Sequence, residues 1–582
     1  MKNVLHDVLK KYDTTEKEYQ PFHVICKEIK DLTLGEKSIE IDAEIMALTF
    51  GENEGGETGP WGTFFRPNMR YHGPEGIFEN PNYENITEEI IDYWKQRAEN
   101  VENLYLKTRY LGLVYEFNSR VTGRPFDINL TILYIKTIIL LCEENNKLEE
   151  KDLIRMILRA LNIALKIKKN ELEKSTIEAV IALEDKISED LKLITWGFCF
   201  ENLVLKNRKK LTDNQLNKLI DDMEKRIIKL AIYEEPYLIE HAVEMLSQYF
   251  RSNKNQNKVE EIVQKLAEVM KIKALKSNPV IAITLYQDLH KLYKKNNMRN
   301  EMDEATRLIA EIGPKVVASM QPMSVKTRIE NDQIDIYLSN IVSDGFEKGL
   351  NRIIVEFLPK ISEIQSGIKG RINQAPIFSL ITKQRLFQSG NGRLIATIES
   401  GQSENNLAFH YIQNIQVHNF FLEKGIDKLF EQYQITDEYL LDYIYQSPIF
   451  EKNVMQIIKK GLTAYFDNDF IVSIHLLIPQ LEAAFRNLIR AQEATVMNAN
   501  KIGGMNYSTF DSILTNEKLK TVFDEDSIFY FRSILTDQTG WNLRNDVCHG
   551  LKSSNEFNKS SAVRILHILF YLAQVRLKTI DE

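Results

Sequence analysis

Apolar residues recur at three- and four-residue spacing along most of the chain, which is the pattern of amphipathic helices. From Thr87 this pattern continues through "EEIIDYWKQRAENVENLYLKTRYLGLVYEFNSR" and predicts one long helix whose aromatic side chains lie in the core. From about 127 to 320 it is nearly continuous, with short polar breaks such as "EENNKLEE" and "NRKKLTDNQ". The chain is therefore predicted to be mainly α, with N-terminal and central helical-repeat-like arrays, although no strict repeat motif is found.

The breaks in the pattern predict four domains: an N-terminal helical domain over 1–122, an α-solenoid-like array over 123–320, a helical linker domain over 321–445 and a C-terminal helical bundle over 446–582. The linker domain is expected to hold one small β-hairpin near 378–398, because apolar residues alternate there around Gly-Asn-Gly.

The N-terminal domain contains a long loop over 51–85 that is too rich in Gly and Pro to form a long helix. Long loops in compact chains are usually functional or mobile. This loop holds aromatic and basic residues that can stack on bases and contact phosphates: Trp61, Phe65, Arg66 and Arg70. It is a possible RNA-contact loop. The alternative is that its aromatic residues hold the loop against its own domain.

The predicted helix Asp467 to Asn498 has two stripes. One is apolar and indicates the buried face, whereas the other is polar and consists of His475, Glu482, Arg486 and Glu493. The first interpretation of the polar stripe is a simple ion pair between Glu482 and Arg486. The second is that the stripe faces the motif described next and orients its side chains. Both interpretations stay open at this point.

The sequence "GWNLRNDVCHGL", Gly540 to Leu551, places Arg544, Asn545 and His549 within six residues, with Asn542 expected to be the N-cap of a helix. A permanent cation, an amide and a titratable imidazole suit a phosphodiester, since Arg holds the anion while His moves protons near neutral pH. The alternative is a capped, hydrogen-bonded helix start with no ligand.

The residues R-N-D-V-C-H-G resemble the R-N-x-x-x-H-G signature of a HEPN ribonuclease branch found in bacteria and in ER membrane-associated RNA degradation proteins. The order of helices around the motif is also similar over roughly 446–582, and "DYWKQRA" and "KTRYLGLVYEF" resemble an accompanying N-terminal region.

The resemblance implies an endoribonuclease without metal or other cofactor that leaves 2′,3′-cyclic phosphate and 5′-hydroxyl ends. His549 would be the general acid or base, Arg544 would hold the scissile phosphate, and Asn545 would hold the phosphate or orient the imidazole. The substrate would be RNA (tRNA or mRNA), and one motif per chain implies either a homodimer with a composite site or a partner that supplies the second copy. Some HEPN toxins carry a nucleotide-accepting tyrosine two residues after the motif histidine. Leu551 stands at that position here, so regulation by tyrosine adenylylation is not expected. Cys548 is expected to be a buried thiol.

A formal net charge of −8 argues against a surface wholly adapted to nucleic acid, so any RNA contact must be a local patch or a dimer groove. Four scattered cysteines, no signal-peptide pattern and no long apolar run predict a cytoplasmic protein that does not bind a membrane.

By analogy, a regulated role in stress or anti-phage defence is expected, with a possible regulatory protein partner for the helical N-terminal part. One rival is a non-catalytic RNA-binding or dimerisation scaffold on a HEPN-like bundle. Another is a helical-repeat adaptor for a protein ligand.

His567, in the last helix, is interpreted as a hydrogen-bonded core histidine.

Overall fold

The structure is a computed structural model, and it describes residues 2–14, 20–33, 38–53, 60–74, 76–125, 127–144, 147–321, 328–374, 383–388, 392–399 and 403–576. The prediction of a mainly helical chain is confirmed. The chain divides into two compact units, Met1–Ser277 with Thr284–Asp303, and Asn278–Ile283 with Glu304–Glu582. The four predicted domains and the repeat-like character of the arrays stay predictions.

The first unit contains the helices α1 (Lys2–Tyr12), α2 (Phe22–Thr33), α3 (Ile39–Thr49), α4 (Glu88–Asn100), α5 (Leu104–Thr122), α6 (Ile128–Glu144), α7 (Glu150–Ile167), α8 (Asn170–Ile187), α9 (Asp213–Ala231), α10 (Pro236–Ser252) and α11 (Gln256–Lys276). Consecutive helices pack side by side from α3 to α8 and from α9 to α11. Two further helices, α12 (Pro279–Lys295) and α13 (Arg299–Ser319), contain residues of both units.

The predicted single helix from Thr87 is two helices, so this prediction is wrong in its length. Asn103 interrupts it, because its side-chain oxygen accepts hydrogen bonds from the backbone N–H groups of Tyr105 and Leu106 and so caps α5. The aromatic residues Trp94 and Tyr110 are buried as predicted. A buried indole N–H without a hydrogen-bond partner would be costly, and that of Trp94 has one because it donates to the Ala43 carbonyl oxygen at 2.9 Å.

The loop over 51–85 contains two antiparallel strand pairs, which the sequence did not predict. They are β1 (Gly51–Glu52) with β2 (Phe65–Arg66), and β3 (Met69–Gly73) with β4 (Gly76–Asn80). Residues 54–59 and 75 of this loop lie outside the described residues.

The second unit contains α14 (Asn331–Val342), α15 (Phe346–Glu356), α16 (Ile361–Gln374), β5 (Lys383–Phe387), β6 (Leu394–Glu399), α17 (Ser403–Gln432), α18 (Asp437–Ile444), α19 (Met455–Phe466), α20 (Phe470–Ala491), β7 (Met497–Ala499), β8 (Met505–Tyr507), α21 (Phe510–Leu514), α22 (Glu525–Leu535), α23 (Leu543–Cys548) and α24 (Lys559–Ala573). The antiparallel pair β5–β6 lies at the place of the predicted hairpin, of which 378–382 and 389–391 are not described. A further pair, β7–β8, was not predicted.

One hydrophobic cluster runs through this unit from Ile341 to Ala573, so the predicted boundary between 445 and 446 lies inside it. Its central element is α24, in which every residue from 561 to 570 is buried. Apolar side chains supply most of this burial, and each contributes about 1.5–3 kcal/mol when fully removed from water.

Two polar side chains of α24, Arg564 and His567, are completely buried. Arg564 donates to the carbonyl oxygens of Phe357 (3.1 Å) and Ile415 (3.2 Å) and to the side-chain oxygen of Asn419 (2.7 Å). The Tyr530 hydroxyl lies 2.8 Å from His567 Nδ1, and His567 Nε2 lies 3.2 Å from the Ile353 carbonyl oxygen. His567 is thus a hydrogen-bonded core residue.

Burial, together with the positive charge of Arg564, lowers the pKa of His567 to about 3 from an ordinary value of 6.5. Between these pH values the unfolded chain binds a proton that the folded chain does not. The stabilising contribution of neutral His567 is therefore complete above pH 6.5 and is lost as the pH falls towards 3.

We expect acid to destabilise the full chain through His567, by up to about 1.4 kcal/mol per pH unit between pH 6.5 and 3. The measurement is urea unfolding at several pH values for the natural chain and for His567→Gln, which cannot titrate there. The variant should be less stable at pH 7.5 and should have the shallower dependence on pH. Parallel curves would contradict the prediction.

Candidate active site

The motif segment folds as the short helix α23, and His549 is its C-cap residue. Asn542 occupies the predicted N-cap position, but its backbone is left-handed (φ 49°, ψ 29°) and its side chain makes no capping hydrogen bond. The predicted N-cap position is therefore confirmed, without the side-chain hydrogen bond that usually accompanies it. A helix of six residues also offers few aligned peptide dipoles, so an anion at this helix would have to be bound by side chains.

Gly550 ends the helix by turning the chain into the left-handed region, with φ 65°. Its N–H donates to the Val547 carbonyl oxygen at 3.2 Å, and the Leu551 N–H donates to the Asp546 carbonyl oxygen at 2.8 Å. These two bonds define a Schellman motif. A Cβ on Gly550 would meet nothing within 4 Å, so backbone conformation and not crowding explains this glycine.

Arg544 is held by an ion pair with Glu482 from α20, at 2.9 Å between Nε and Oε2. The other carboxylate oxygen of Glu482 accepts from Arg486 Nη2, also at 2.9 Å. Glu482 thus bridges two arginines, and both interpretations of the polar stripe on α20 describe real contacts. Arg544 Nη1 donates to Asn545 Oδ1 at 3.1 Å, whereas its Nη2 has no hydrogen-bond partner among the described residues.

Asn545 lies in a chain of side-chain hydrogen bonds. Its Nδ2 donates to the Thr536 carbonyl oxygen at 3.3 Å and to Asn542 Oδ1 at 2.8 Å. Asn542 in turn donates to Asp546 Oδ1 at 2.8 Å. Both groups of the Asn545 amide are therefore engaged in placing Arg544 and closing the turn. No hydrogen bond between Asn545 and the His549 ring occurs in the described part of the chain, so the expected orienting contact is not formed.

His549 is exposed, and its ring forms no hydrogen bond or ion pair within the part of the chain that the structure describes. Cys548 beside it is also exposed, so the prediction of a buried thiol is wrong. The reason is the register of α23, which turns Val547 into the core and Cys548 and His549 towards solvent. An unpaired, accessible imidazole five residues after a fixed guanidinium has the chemical capacity for proton transfer to a bound anion.

His475 does not join this group among the described contacts. It is exposed and stacks on Phe557, with ring centroids 4.9 Å apart, and its Nδ1 lies 2.8 Å from the Ile471 carbonyl oxygen. The position at the start of α20 explains this, since Glu482 is two turns further along the helix.

Two residues that the sequence did not indicate, Arg490 and Tyr507, lie beside Arg486 of α20. The Arg486 guanidinium lies over the Tyr507 ring, 4.5 Å from its centroid, and Arg490 Nη2 donates to the Tyr507 hydroxyl at 2.8 Å. The spacing of Arg486 and Arg490 by four residues was a usable signal. Tyr507 was not, because β8 has only three residues and is too short to show alternation.

The possible RNA-contact loop lies in the other unit. Phe65 is 1% exposed and packs under Arg109, whose guanidinium is 4.8 Å from its ring centroid. The Trp61 indole N–H donates to Glu79 at 2.8 Å, and Arg70 Nε donates to the same carboxylate at 2.8 Å. The Arg66 side chain donates to the Pro67 carbonyl oxygen at 3.4 Å. These contacts favour the interpretation in which the loop is held against its own unit.

Among the described residues, no group of three or more His, Cys, Asp or Glu side chains is placed to hold a metal ion. In the same described part of the chain, no helix has the length and apolarity that crossing a membrane requires. No known protein family, curated protein or solved structure matches the chain.

We expect Gly550→Ala to destabilise the full chain by about 1–2 kcal/mol, because alanine resists the left-handed conformation. The matched control is Gly367→Ala in α16, which is exposed and lacks a positive φ, and where alanine should be neutral or stabilising by up to about 1 kcal/mol. Urea unfolding of the three proteins checks this, and equal midpoints would be against it.

Proposed function

We propose that the chain is a metal-independent endoribonuclease of HEPN type, which cleaves RNA to 2′,3′-cyclic phosphate and 5′-hydroxyl ends. The observation that supports this most is the pairing of a fixed guanidinium with a free imidazole on one short helix. Arg544 is held at Nε and Nη1 and keeps Nη2 available among the described residues, while His549 is exposed.

In the proposed reaction the ribose 2′-oxygen attacks the adjacent phosphorus and the bond from phosphorus to the 5′-oxygen breaks. Neutral His549 accepts the proton of the 2′-hydroxyl, and a protonated imidazole gives a proton to the leaving 5′-oxygen. Arg544 binds the non-bridging oxygens, whose negative charge grows in the transition state. Asn545 is a positioning residue, since its oxygen holds Arg544.

The local charge is suitable for an anionic strand although the chain is acidic overall. Arg486 and Arg544 both pair with the carboxylate of Glu482, and Arg490 lies with Arg486 against Tyr507, so these four charged side chains together carry a net positive charge. Tyr507 lies against two of these arginines and is 53% exposed, which offers an aromatic face for a base. A chain with a formal charge of −8 needs such a local basic patch to bind an anionic strand.

A homodimer completes the proposal. The reaction needs one imidazole to accept a proton and one to donate, and each chain has a single motif histidine. Two copies of α23 across a two-fold axis supply both. Regulation in stress or anti-phage defence, with a protein partner on the helical first unit, belongs to the same proposal by analogy.

The alternative function is a non-catalytic RNA-binding or dimerisation scaffold. Two observations favour it: the Asn545 amide is fully used in the fold, and Glu482 offsets part of the charge of Arg544. The two functions share the basic surface and differ in whether His549 transfers protons.

We expect the purified full chain to cleave a mixed RNA pool in EDTA and to leave cyclic-phosphate ends. His549→Ala should lower the rate by about 10²–10⁴-fold, the usual contribution of a general acid or base. Arg544→Ala should lower it by about 10²–10³-fold, and Arg544→Lys should restore part of it, since charge is kept without the fork geometry.

Fragment ends determined by sequencing and mass spectrometry provide the readout. The matched controls are His418→Ala and Arg532→Ala, an exposed histidine and a half-buried, ion-paired arginine of the same unit, and both variants should cleave like the natural chain. RNA binding without cleavage in all six proteins, the natural chain and its five variants, would support the scaffold instead.

We also expect the cleavage rate per chain to rise with protein concentration and to level off once the dimer is formed. The physical reason is that a monomer holds only half of the proton-transfer pair. Analytical ultracentrifugation at the same concentrations gives the dimer fraction. A constant rate per chain across a monomer-to-dimer transition would exclude the composite site.

A further inference from the structure

A cleft of about 530 Å³ lies beside the motif helix. The end of the hairpin β5–β6 lines it with Phe387 and Gln388, and the motif segment lines it with Trp541 and Asp546. The chain that follows the motif adds Lys552 and Asn555. Its size is within the range of about 300–1,000 Å³ that small-molecule sites occupy.

The lining offers aromatic faces and unused polar groups. Phe387 and Trp541 provide flat apolar surface, and both are only partly buried. Asn555 uses its side-chain oxygen to accept from the Ser553 hydroxyl at 2.6 Å, while its Nδ2 has no partner in the described part of the chain. A planar ring with a polar edge is the ligand that such a combination of stacking surface and amide groups recognises.

Lys552 is the one cation among the described residues that line the cleft, and it points to an anionic group on that ligand. The lining also contains two carboxylates that accept hydrogen bonds within the chain: Asp546 accepts from Gln388 at 3.3 Å and from Asn542 at 2.8 Å, and Glu556, on which the charge of Lys552 acts, accepts from the Ser553 N–H at 2.8 Å. Lys552 is partly buried and forms no ion pair with any described residue. One available cation beside an aromatic platform fits a base that carries a phosphate.

We infer that this cleft binds one nucleotide, with its base against Trp541 and its phosphate at Lys552. The inference rests on the proposed function in one respect, which is that the nucleotide belongs to the RNA strand. The Cα atoms of Lys552 and His549 are at most about 11 Å apart, since three virtual bonds of 3.8 Å join them. A strand of a few nucleotides is long enough to span both residues.

The cleft and the motif are also connected through hydrogen bonds. Gln388 in the cleft wall donates to Asp546, Asp546 accepts from Asn542, and Asn542 accepts from Asn545, which holds Arg544. A base that replaces Gln388 at Asp546 acts on the position of Arg544 through this chain. Binding of the neighbouring nucleotide is thereby linked to the group that holds the scissile phosphate.

The test is titration of the full chain with adenosine 5′-monophosphate, adenosine, inorganic phosphate and an all-2′-deoxy tetranucleotide that cannot be cleaved. Tryptophan emission is the readout, and Trp541→Phe keeps an aromatic surface but should lose the signal. The expected result is quenching by the monophosphate, with binding at least about ten-fold weaker in Lys552→Ala and unchanged in Lys501→Ala, an exposed lysine elsewhere in the unit. Adenosine should bind Lys552→Ala and the natural chain equally.

These titrations distinguish a free nucleotide from an RNA strand as the ligand, and they test the nucleotide site separately from the proposed ribonuclease function. Tighter binding of the tetranucleotide than of the monophosphate supports a site for an RNA strand. Equal affinities for these two probes would overturn the assignment of the nucleotide to a strand. No quenching by any of the four probes at millimolar concentration, or the same affinity in Lys552→Ala, overturns the inference even if RNA is cleaved. Binding as expected without cleavage of RNA leaves the cleft assigned and removes the proposed function.

Discussion

The packing of the second unit depends on the hydrogen bonds of one buried cation, the Arg564 guanidinium. Arg564 is completely buried on α24 and has no carboxylate partner among the described residues, so its N–H groups must find neutral oxygens. It finds them at Phe357, after α15, and at Ile415 and Asn419 on α17. These acceptors are within reach only when both helices pack against α24. An unpaired guanidinium in this core would cost about 3–5 kcal/mol, which disfavours other arrangements of the same apolar faces.

The same core fixes the site. Because α20 packs on α24 with its apolar face, its polar face is directed elsewhere, and Glu482 meets Arg544 there. The consequence is a division of roles within α23. Arg544 is restrained at two of its nitrogens by Glu482 and Asn545, whereas His549 is left without a partner in the described chain. Restraint suits a group that holds a phosphate, and freedom suits one that exchanges protons with solvent.

Helical periodicity identified what lies on each helix face but not which elements are neighbours. It predicted a mainly helical chain, the core position of His567 and a polar stripe on α20 that includes Glu482. It could not detect the break at Asn103, because a side-chain oxygen that caps a helix looks the same in sequence as a polar surface residue. It missed the strands that carry Tyr507, which are too short to alternate. It also placed Cys548 in the core, because the register of a six-residue helix depends on tertiary contacts more than on pattern.

The four motif residues differ in how much of their chemistry the fold uses. Gly550 is explained by a left-handed turn, and Asn545 by three hydrogen bonds that close the segment. Arg544 is explained in part, since Glu482 and Asn545 leave Nη2 open among the described residues. His549 contributes nothing to the packing, since it is exposed and makes no described side-chain bond. A fold that needed only a helix end accepts almost any polar residue at this position. Packing therefore does not account for the imidazole, and in the proposed function it is the group that transfers protons to and from an anion held by Arg544.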